Sequence, residues 1–307
     1  MDNILDVLVI GSGPAGLCAG IYAKRAGLDC AVTEIMPMGG GQIMNTGEVE
    51  NYLGFASVEG FELAMKFNEH AQSADVKMLN TQIISLKKQD NFFIATTANG
   101  EEICAKTVIA CTGAVSKKLG VKGEAEFTGK GVGYCAHCDG AFYRNKTTVV
   151  IGGGDTAVTS ALYLANLCQK VYIAHRRDEF KSAKSLVDKL NKKDNIEIIY
   201  NATLQEIKGE EKVSGVVLEN VIDKTQTEIS TDGVFITIGV SPVNELFKDL
   251  ANTDNGGFIV ADETCKTSLE GLFVAGDLRS KPLRQVVTAV ADGANAVYSA
   301  EEYLREL

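Results

Sequence analysis

The chain has 307 residues, of which 45% are hydrophobic and 23% charged, and its formal net charge is −10. This composition excludes a disordered chain, the length favours two domains, and the acidic balance disfavours non-specific binding to nucleic acid or to an anionic membrane. The longest uncharged stretch, residues 7–23, is broken by glycine and proline and is too short to span a membrane. Acidic residues stand where a signal peptide would carry positive charge. We therefore expect a cytoplasmic protein that binds neither nucleic acid nor membrane.

The first predicted elements form a dinucleotide-binding unit. The apolar strand Leu5–Ile10 leads into the glycine-rich turn Gly11–Gly16, a helix over 17–26 and a second strand over 29–33. In such a turn the first glycine permits the tight bend, the second lets the backbone approach a pyrophosphate, and the third small residue lets the helix pack on the strand. The second strand ends at Glu34, and an acidic residue there accepts a hydrogen bond from a free ribose 2′-hydroxyl and repels a 2′-phosphate. The pattern predicts a site for FAD or NAD.

A second unit repeats this order later in the chain. The apolar strand Thr147–Ile151 is followed by the turn Gly152–Ala157, a helix over 158–167 and a strand over 170–174. This strand leads to His175, 23 residues after the first glycine of the turn, which is the same offset as in the first unit. One glycine motif is a weak signal, whereas two units at matched spacing predict two dinucleotide sites.

Cationic residues mark the end of the second strand in this later unit. His175, Arg176 and Arg177 follow one another, and Lys181 is predicted one helical turn further on. Arginine can bind a phosphate with two parallel hydrogen bonds, so the cluster favours the 2′-phosphate of NADP. The alternative is a solvated, basic start of a helix.

Three further apolar strands run into glycines, over 107–110, 233–238 and 271–275. The first two bracket the second unit. The simplest topology is an α/β fold of two Rossmann-like dinucleotide-binding domains, one inserted into the other. We predict a discontinuous FAD-binding domain over 1–115 and 244–307, and an NADPH-binding domain over 116–243.

Asp277 follows the last of these strands within the pair Gly276-Asp277. An aspartate just past the carboxyl end of a strand lies at the ligand crevice of an open sheet, where it can accept hydrogen bonds from the ribitol hydroxyls of a flavin. The alternative is that it caps a helix predicted over 284–296. Both roles can hold together.

The eight cysteines contain a single C-x-x-C pair, Cys135 and Cys138. A zinc site needs four ligands, and neither a second C-x-x-C nor a histidine pair is present, so no metal site is expected. A redox disulfide needs two close sulfurs and a lowered thiol pKa, which C-x-x-C supplies. His137 would, if protonated, favour the thiolate. Asp139 could return a proton during reduction, although an Asp-Gly pair is also typical of a turn.

In their order and spacing these motifs resemble those of the low-molecular-weight thioredoxin reductases of bacteria. Beyond the features above, the resemblance rests on Gly40-Gly41-Gln42, Glu48-Val49-Glu50-Asn51-Tyr52, Thr112-Gly113-Ala114, Phe142-Tyr143-Arg144-Asn145 and Arg284-Gln285. It implies a homodimeric enzyme that passes electrons from NADPH through FAD to a disulfide between Cys135 and Cys138, and then to thioredoxin. In that scheme Cys138 lies nearer the flavin, Cys135 attacks thioredoxin, and Asp139 is the general acid.

The residues expected to contact the two cofactors fall into two sets. For FAD they are Gly11, Ser12, Gly13, Pro14, Ala15, Gly16, Glu34, Gly40, Gly41, Gln42, Asn51, Gly276, Asp277, Arg284, Gln285 and Val286. For NADPH they are Gly152, Gly154, Asp155, Thr156, Ala157, His175, Arg176, Arg177 and Lys181.

Three features depart from the family pattern. Thr159-Ser160 stand where the family usually has two glutamates, Lys181 replaces an arginine, and Gly39–Gly41 are three glycines instead of two. The first two leave open a different electron donor, such as NADH or reduced ferredoxin. The acceptor could also be a thioredoxin-like partner linked to a peroxidase. A flavin-binding redox sensor is a third hypothesis. It is disfavoured because the chain has no basic stripe for DNA and a sensor would not need a second nucleotide site.

Overall fold

The computed structural model describes residues 4–46 and 48–307. The helices are α1 (Pro14–Arg25), α2 (Gly60–Ser73), α3 (Ala136–Asp139), α4 (Asp155–Leu164), α5 (Lys184–Leu190) and α6 (Val286–Glu306), and short 3₁₀ helices cover Gly41–Asn45, Gly140–Tyr143 and Gly276–Leu278. The strands are β1 (Leu5–Ile10), β2 (Cys30–Glu34), β3 (Glu48–Val49), β4 (Val58–Glu59), β5 (Lys77–Asn80), β6 (Ile83–Gln89), β7 (Phe92–Thr97), β8 (Glu102–Ala110), β9 (Ala114–Ser116), β10 (Val132–Gly133), β11 (Thr147–Ile151), β12 (Lys170–Ala174), β13 (Ile196–Ile199), β14 (Ala202–Gly209), β15 (Val213–Asn220), β16 (Gln226–Ser230), β17 (Gly233–Ile236), β18 (Val240–Pro242) and β19 (Leu272–Val274).

The chain divides into two compact units. The first unit runs to Thr46 and includes Tyr52–Val115 and Ser241–Leu307. The second unit is Ser116–Val240 together with a short segment that ends at Asn51. The long part of the second unit is bounded by crossings at 115/116 and 240/241, where the sequence predicted 115/116 and 243/244, and the chain also passes between the units on either side of the short segment.

The first unit is built on one sheet with strand order β5-β2-β1-β8-β7-β6, and β19 also pairs with β8. Strands β5, β2, β1, β8 and β19 are parallel to one another. Strand β7 is antiparallel to both of its neighbours, β8 and β6. Alternate residues of β1 enter different cores. Val7 and Val9 pack with α1 and α6 on one face, while Leu8 and Ile10 pack on the other. A strand buried on both faces must be apolar throughout, which explains the sequence of β1.

The second unit has a parallel sheet of order β10-β17-β11-β12-β13 and a separate antiparallel sheet β14-β15-β16. Strand β11 is again buried on both faces. Val149 and Ile151 face the core shared with the antiparallel sheet, and Val150 faces the core shared with α4. This architecture confirms the predicted α/β fold with two Rossmann-like sheets.

Several predicted boundaries need correction. Helix α1 begins at Pro14 and α4 at Asp155, each three residues before the predicted start, because the last residues of both glycine turns are already helical. Helix α6 extends ten residues beyond the predicted end at 296. Its N-cap is Gln285, so the alternative of Asp277 as that N-cap is wrong. Lys181 lies in a loop before α5, so its predicted place one helical turn after Arg177 is also wrong.

Candidate active site

The three glycines of the first turn differ in what a side chain would meet at each position. Gly11 has φ +103°, and a Cβ there would lie 2.5 Å from the Cys111 carbonyl oxygen. A Cβ on Gly16 would overlap the Gly11 carbonyl oxygen. Gly13 differs, because the nearest atom to its Cβ position is the Gly41 Cα at 3.9 Å. The protein leaves room at Gly13, as expected where a ligand must approach the backbone.

Glu34, at the end of β2, is fixed beside this turn. The Ser12 hydroxyl donates to Glu34 Oε2, and the backbone N–H groups of Ile35 and Met36 donate to Oε1 at 2.8 and 2.9 Å. The Gly40 N–H donates to the Ser12 carbonyl at 2.8 Å, which ties the loop after β2 to the turn. A carboxylate therefore occupies the position that distinguishes a free 2′-hydroxyl from a 2′-phosphate.

Asp277 lies in the 3₁₀ turn directly after β19. Among the described residues its Oδ1 is a buried side-chain oxygen for which no hydrogen-bond partner is found. The pKa of this carboxyl is raised above its ordinary value, because the effect of burial outweighs the charges of Lys281 and Arg284, which lower it. The Arg284 Nε donates to the Asp277 carbonyl at 3.2 Å, so this arginine helps to hold the turn. The orphaned oxygen identifies Asp277 as a place where a ligand hydroxyl could donate.

The remaining residues predicted for FAD belong to the first unit, except Asn51, which ends the short segment assigned to the second unit. Pro14 begins α1, Ala15 is buried within it, Gly41 and Gln42 begin a 3₁₀ helix, Asn51 precedes the chain segment to β4, Gly276 begins the turn of Asp277, and Val286 begins α6. Gln285 caps α6 in a capping box with Thr288.

The glycine turn of the second unit repeats the first with one exchange. A Cβ on Gly152 would lie 2.5 Å from the Thr237 carbonyl oxygen, and a Cβ on Gly154 would have only the Lys181 carbonyl oxygen within 4 Å, at 3.9 Å. The third position holds Ala157, which is fully buried. A Cβ on Gly153 would overlap the ring of His175, so the absence of a side chain at this position leaves room for the imidazole.

The loop after β12 is tied to this turn at two points. The Lys181 N–H donates to the Gly153 carbonyl at 2.7 Å. The Ser182 hydroxyl and the Ala183 N–H donate to Asp155 Oδ1 at 2.6 and 3.0 Å. The carboxylate of Asp155, predicted to contact NADPH, is thus engaged in shaping the loop. Thr156, on the same first turn of α4, is exposed.

The side chains that this loop presents differ in burial. Arg176, Arg177 and Lys181 are exposed. His175 stacks on Phe180, and its Nε2 is buried without a hydrogen-bond partner in the described part of the chain. Burial, with smaller contributions from the charges of Arg177 and Arg176, lowers the pKa of His175. The loop therefore offers a neutral imidazole next to free cations.

Cys135 and Cys138 form a disulfide at α3, where Cys135 is the N-cap and the Cys138 N–H donates to Cys135 Sγ at 3.2 Å. Burial raises the pKa of the neighbouring Asp139 to about 6. A Cβ on Gly133 would lie 2.9 Å from Asp139 Oδ2, so a glycine leaves space for this carboxyl. The pair of sulfurs and the protonatable acid stand next to each other in the chain.

Two residues near the disulfide carry roles that the sequence did not indicate. Gly133 lies on β10, far from any recognisable turn motif, and its function is visible only through Asp139. Tyr163 stacks on the ring of His137 with centroids 4.4 Å apart. The predicted influence of His137 on the thiolate stays a prediction.

The other cysteines, Cys18, Cys30, Cys104, Cys111, Cys168 and Cys265, are free thiols. Within residues 4–46 and 48–307, no helix is long and apolar enough to cross a membrane, and no group of three or more His, Cys, Asp or Glu side chains could hold a metal ion.

Two dinucleotide turns and a disulfide on a parallel α/β framework define the class of flavin- and nicotinamide-linked disulfide oxidoreductases. The family model of the pyridine nucleotide-disulphide oxidoreductases matches residues 5–293. The chain is 41% identical to a thioredoxin reductase of Listeria monocytogenes, over all of this chain and 96% of the relative. It is likewise 41% identical to a thioredoxin reductase of Treponema pallidum, over all of this chain and 99% of the relative.

A solved structure gives the same result. The crystal structure of thioredoxin reductase from Streptococcus pyogenes superposes with a TM-score of 0.93 at 41% identity, covering all of both chains. The chain therefore belongs to the pyridine nucleotide-disulphide oxidoreductase family and, within it, to the thioredoxin reductases, and it is an oxidoreductase. The resemblance stated from the sequence is confirmed.

Proposed function

We propose that this chain uses NADPH and FAD to reduce the disulfide of thioredoxin, with FAD on the first unit and NADPH on the second. The observation that carries the proposal is the Cys135–Cys138 disulfide, which is followed directly by Asp139, a carboxyl whose pKa is raised to about 6. A disulfide beside an acid that can hold a proton near neutral pH suits reversible dithiol chemistry.

The residues present fit both nucleotides. The buried Oδ1 of Asp277 can accept a hydrogen bond from a ribitol hydroxyl, and Glu34 disfavours a 2′-phosphate in the first unit. In the second unit the exposed arginines after His175 can donate to a 2′-phosphate. Gly13 and Gly154 leave the backbone of each turn accessible. These features support FAD at the first turn and NADPH at the second.

When bound, FAD supplies the two-electron transfer between a nicotinamide and a disulfide. The electron pair breaks the bond between Cys135 and Cys138, and a proton from Asp139 leaves the pair as one thiolate and one thiol. The Cys135 thiolate attacks a sulfur of the thioredoxin disulfide, so a mixed disulfide forms and a thioredoxin thiolate leaves. Cys138 returns its proton to Asp139 and attacks Cys135 Sγ. This step re-forms the disulfide and releases thioredoxin with both sulfurs reduced, and the two thioredoxin thiolates take their protons from water.

Serine variants of the two cysteines test this proposal. Cys135→Ser and Cys138→Ser should abolish thioredoxin reduction, while NADPH still bleaches the flavin absorbance because the nucleotide sites are unchanged. Cys104→Ser, at a free and half-buried thiol of the first unit, is the matched control and should keep full turnover. Full turnover in either active-site variant, or a folded chain that takes up no FAD, would overturn the proposal. The same assay with NADH or reduced ferredoxin tests the donor.

We also infer a homodimer in the cytoplasm. Large apolar side chains are exposed on the first unit at Ile35, Met36 and Leu53, as is common where proteins associate. The free thiols outside the disulfide suit a reducing compartment. Sedimentation equilibrium should give twice the mass of the chain, and a monomer at micromolar concentration would exclude the dimer.

A further inference from the structure

Three charged side chains are buried beneath the turn that carries Asp277. Arg279, Lys281 and Asp292 expose only 5%, 4% and 3% of their side-chain surface. Charged groups are almost never buried so completely unless they are paired, because removal from water costs more than a single contact returns. The burial of these three charges therefore depends on the ion pairs that they form with one another.

One carboxylate connects the whole cluster. Asp292, on α6, accepts at Oδ1 from Arg279 Nη2 at 2.9 Å. Its Oδ2 accepts from Arg279 Nε at 3.1 Å, from Lys281 Nζ at 2.9 Å and from the backbone N–H of Gly276 at 3.0 Å. Gly276 is the first residue of the turn, so Asp292 holds the turn directly as well as through the two cations.

The segment after the turn is fixed from the other side. Arg284 lies over the ring of Phe258, 3.8 Å from its centroid. Its Nε donates to the Asp277 carbonyl at 3.2 Å and its Nη2 to the Arg279 carbonyl at 3.4 Å. Backbone and side chains of this segment thus have little freedom around Asp277.

The cluster carries an excess of positive charge. Two buried cations share one buried carboxylate, and the second carboxylate on Arg279, from Glu263, is 85% exposed. The charged groups that act on the Asp277 carboxyl are Lys281 and Arg284, from the segment after the turn, and Asp292, from α6. The two cations favour ionisation of Asp277 against the effect of burial. An ionised Asp277 can only accept hydrogen bonds.

We propose that Asp292 is a positioning residue for FAD, which with Arg279 and Lys281 clamps the Gly276–Asp277 turn, and that Lys281 keeps Asp277 an acceptor for hydroxyl groups of the ribitol chain. This inference rests on the proposed binding of FAD to the first unit. It assigns to buried charges outside the nucleotide motifs a share of the affinity for the flavin.

Lys281→Met is the sharpest test. Methionine keeps most of the length of the side chain, and the remaining Arg279–Asp292 pair stays balanced, so the apoprotein should fold. FAD is titrated into apoprotein and followed by quenching of flavin fluorescence. We expect the Kd for FAD to rise at least tenfold, and to rise further as pH falls from 8 to 5.5, because Asp277 then protonates more readily. Lys281→Arg should restore most of the affinity.

Lys266→Met is the matched control, since Lys266, in the segment before β19, forms an exposed ion pair with Glu302 of α6, the helix that also carries Asp292. It should leave the Kd for FAD and its pH dependence unchanged. A purely structural cluster would lower the melting temperature of Lys281→Met apoprotein and leave the Kd unchanged, which would overturn the inference. If the wild-type chain binds FAD and Lys281→Met binds it equally at every pH, this inference alone fails. If the wild-type chain takes up no FAD, the proposed function fails with it.

Discussion

The two glycine turns have the same backbone hydrogen bond to the loop after the second strand, and they differ in the side chains that lie beside them. In both, an N–H of the loop after the second strand donates to the carbonyl of the turn's second residue 28 positions earlier, from Gly40 to Ser12 and from Lys181 to Gly153. In the first unit Ser12 donates to the carboxylate of Glu34. In the second unit the ring of His175 occupies the space that a side chain on Gly153 would take. The fold supplies the turn, the residues after the second strand supply an acid or an imidazole with cations, and the second residue of the turn is matched to them, with a hydroxyl beside Glu34 and no side chain beside His175.

The third small residue of the glycine motif, Gly16 in the first unit and Ala157 in the second, gives the largest expected difference in stability between the two units. Gly16→Ala would place a Cβ on the Gly11 carbonyl oxygen, and relief of that overlap should cost about 3 kcal/mol or more of unfolding free energy. Ala157→Gly, at the equivalent position of the second unit, should cost only about 1 kcal/mol because it merely adds a glycine to α4. Urea denaturation measures both. Equal losses would mean that the two turns pack alike.

The second unit contains a disulfide and a buried acid beside it. Asp139 binds its proton more tightly in the folded state, since its pKa is raised to about 6 from 3.8. This carboxyl should therefore contribute about 3 kcal/mol to stability below pH 4, and that contribution should be lost as the pH rises through 6. Asp139→Asn should remove this loss and be more stable than wild type at pH 8, while its thioredoxin reduction slows roughly 100-fold.

Denaturation curves at pH 4 and pH 8 check the stability difference. Asp188→Asn, at an exposed aspartate of the second unit, is the control and should follow the wild type at both pH values. An Asp139→Asn variant whose stability changes between pH 4 and pH 8 as much as that of the wild type, or one with unchanged turnover, would remove the acid from the scheme.

The cations after His175 should separate the nucleotide preferences of the two units. Arg176→Ala with Arg177→Ala should raise the Kd for NADPH roughly 100-fold, because hydrogen bonds to a charged phosphate are lost, and leave the FAD content unchanged. NADH binding should change little. Replacing the exposed Lys189 and Lys192 by alanine removes the same charge elsewhere in the unit and serves as control. If the arginine variant kept its preference for NADPH, the phosphate would have to bind elsewhere.

The middle glycines should give the smallest and cleanest effects. Gly13→Ala and Gly154→Ala meet no protein atom closer than 3.9 Å, so neither should change the melting temperature of the apoprotein. Each should weaken one nucleotide about tenfold, FAD for the first and NADPH for the second, because the added methyl stands where the ligand approaches. Titration of FAD and of NADPH into each variant measures the four Kd values that this comparison needs. A variant that weakened both nucleotides, or neither, would contradict the assignment.

The sequence predicted some elements to the residue and missed others for a physical reason. β1, β11 and β12 were correct at both ends, because strands buried on both faces are continuous apolar runs bounded by turns. The pair β6 and β7 and the sheet β14-β15-β16 were not predicted. Their strands are partly exposed and pair antiparallel, so the local pattern is weaker and the partner is specified only by the fold.

The candidate site shows the same division. Both glycine turns, Glu34, the basic loop and the cysteine pair could be proposed as site residues from the sequence because motif spacing encodes them. The cluster around Asp292 was not, because a charged residue in a sequence is expected at the surface, and only the folded chain brings Arg279, Lys281 and Asp292 together. Gly133 was missed likewise, since its role depends on a carboxyl that belongs to another element.

Because the first unit is discontinuous in sequence, its parts are synthesised at different times on the ribosome. Strand β1 and helix α1 emerge before the second unit, but β19 and α6, which complete their sheet and cover the face of Val7 and Val9, are made after it. The second unit lies between them and is complete in sequence by Val240. Because domains fold as units while the chain grows, the second unit can reach its native state on the nascent chain. The first unit must meanwhile hold an uncovered apolar surface, and that interval is where a chaperone would be needed.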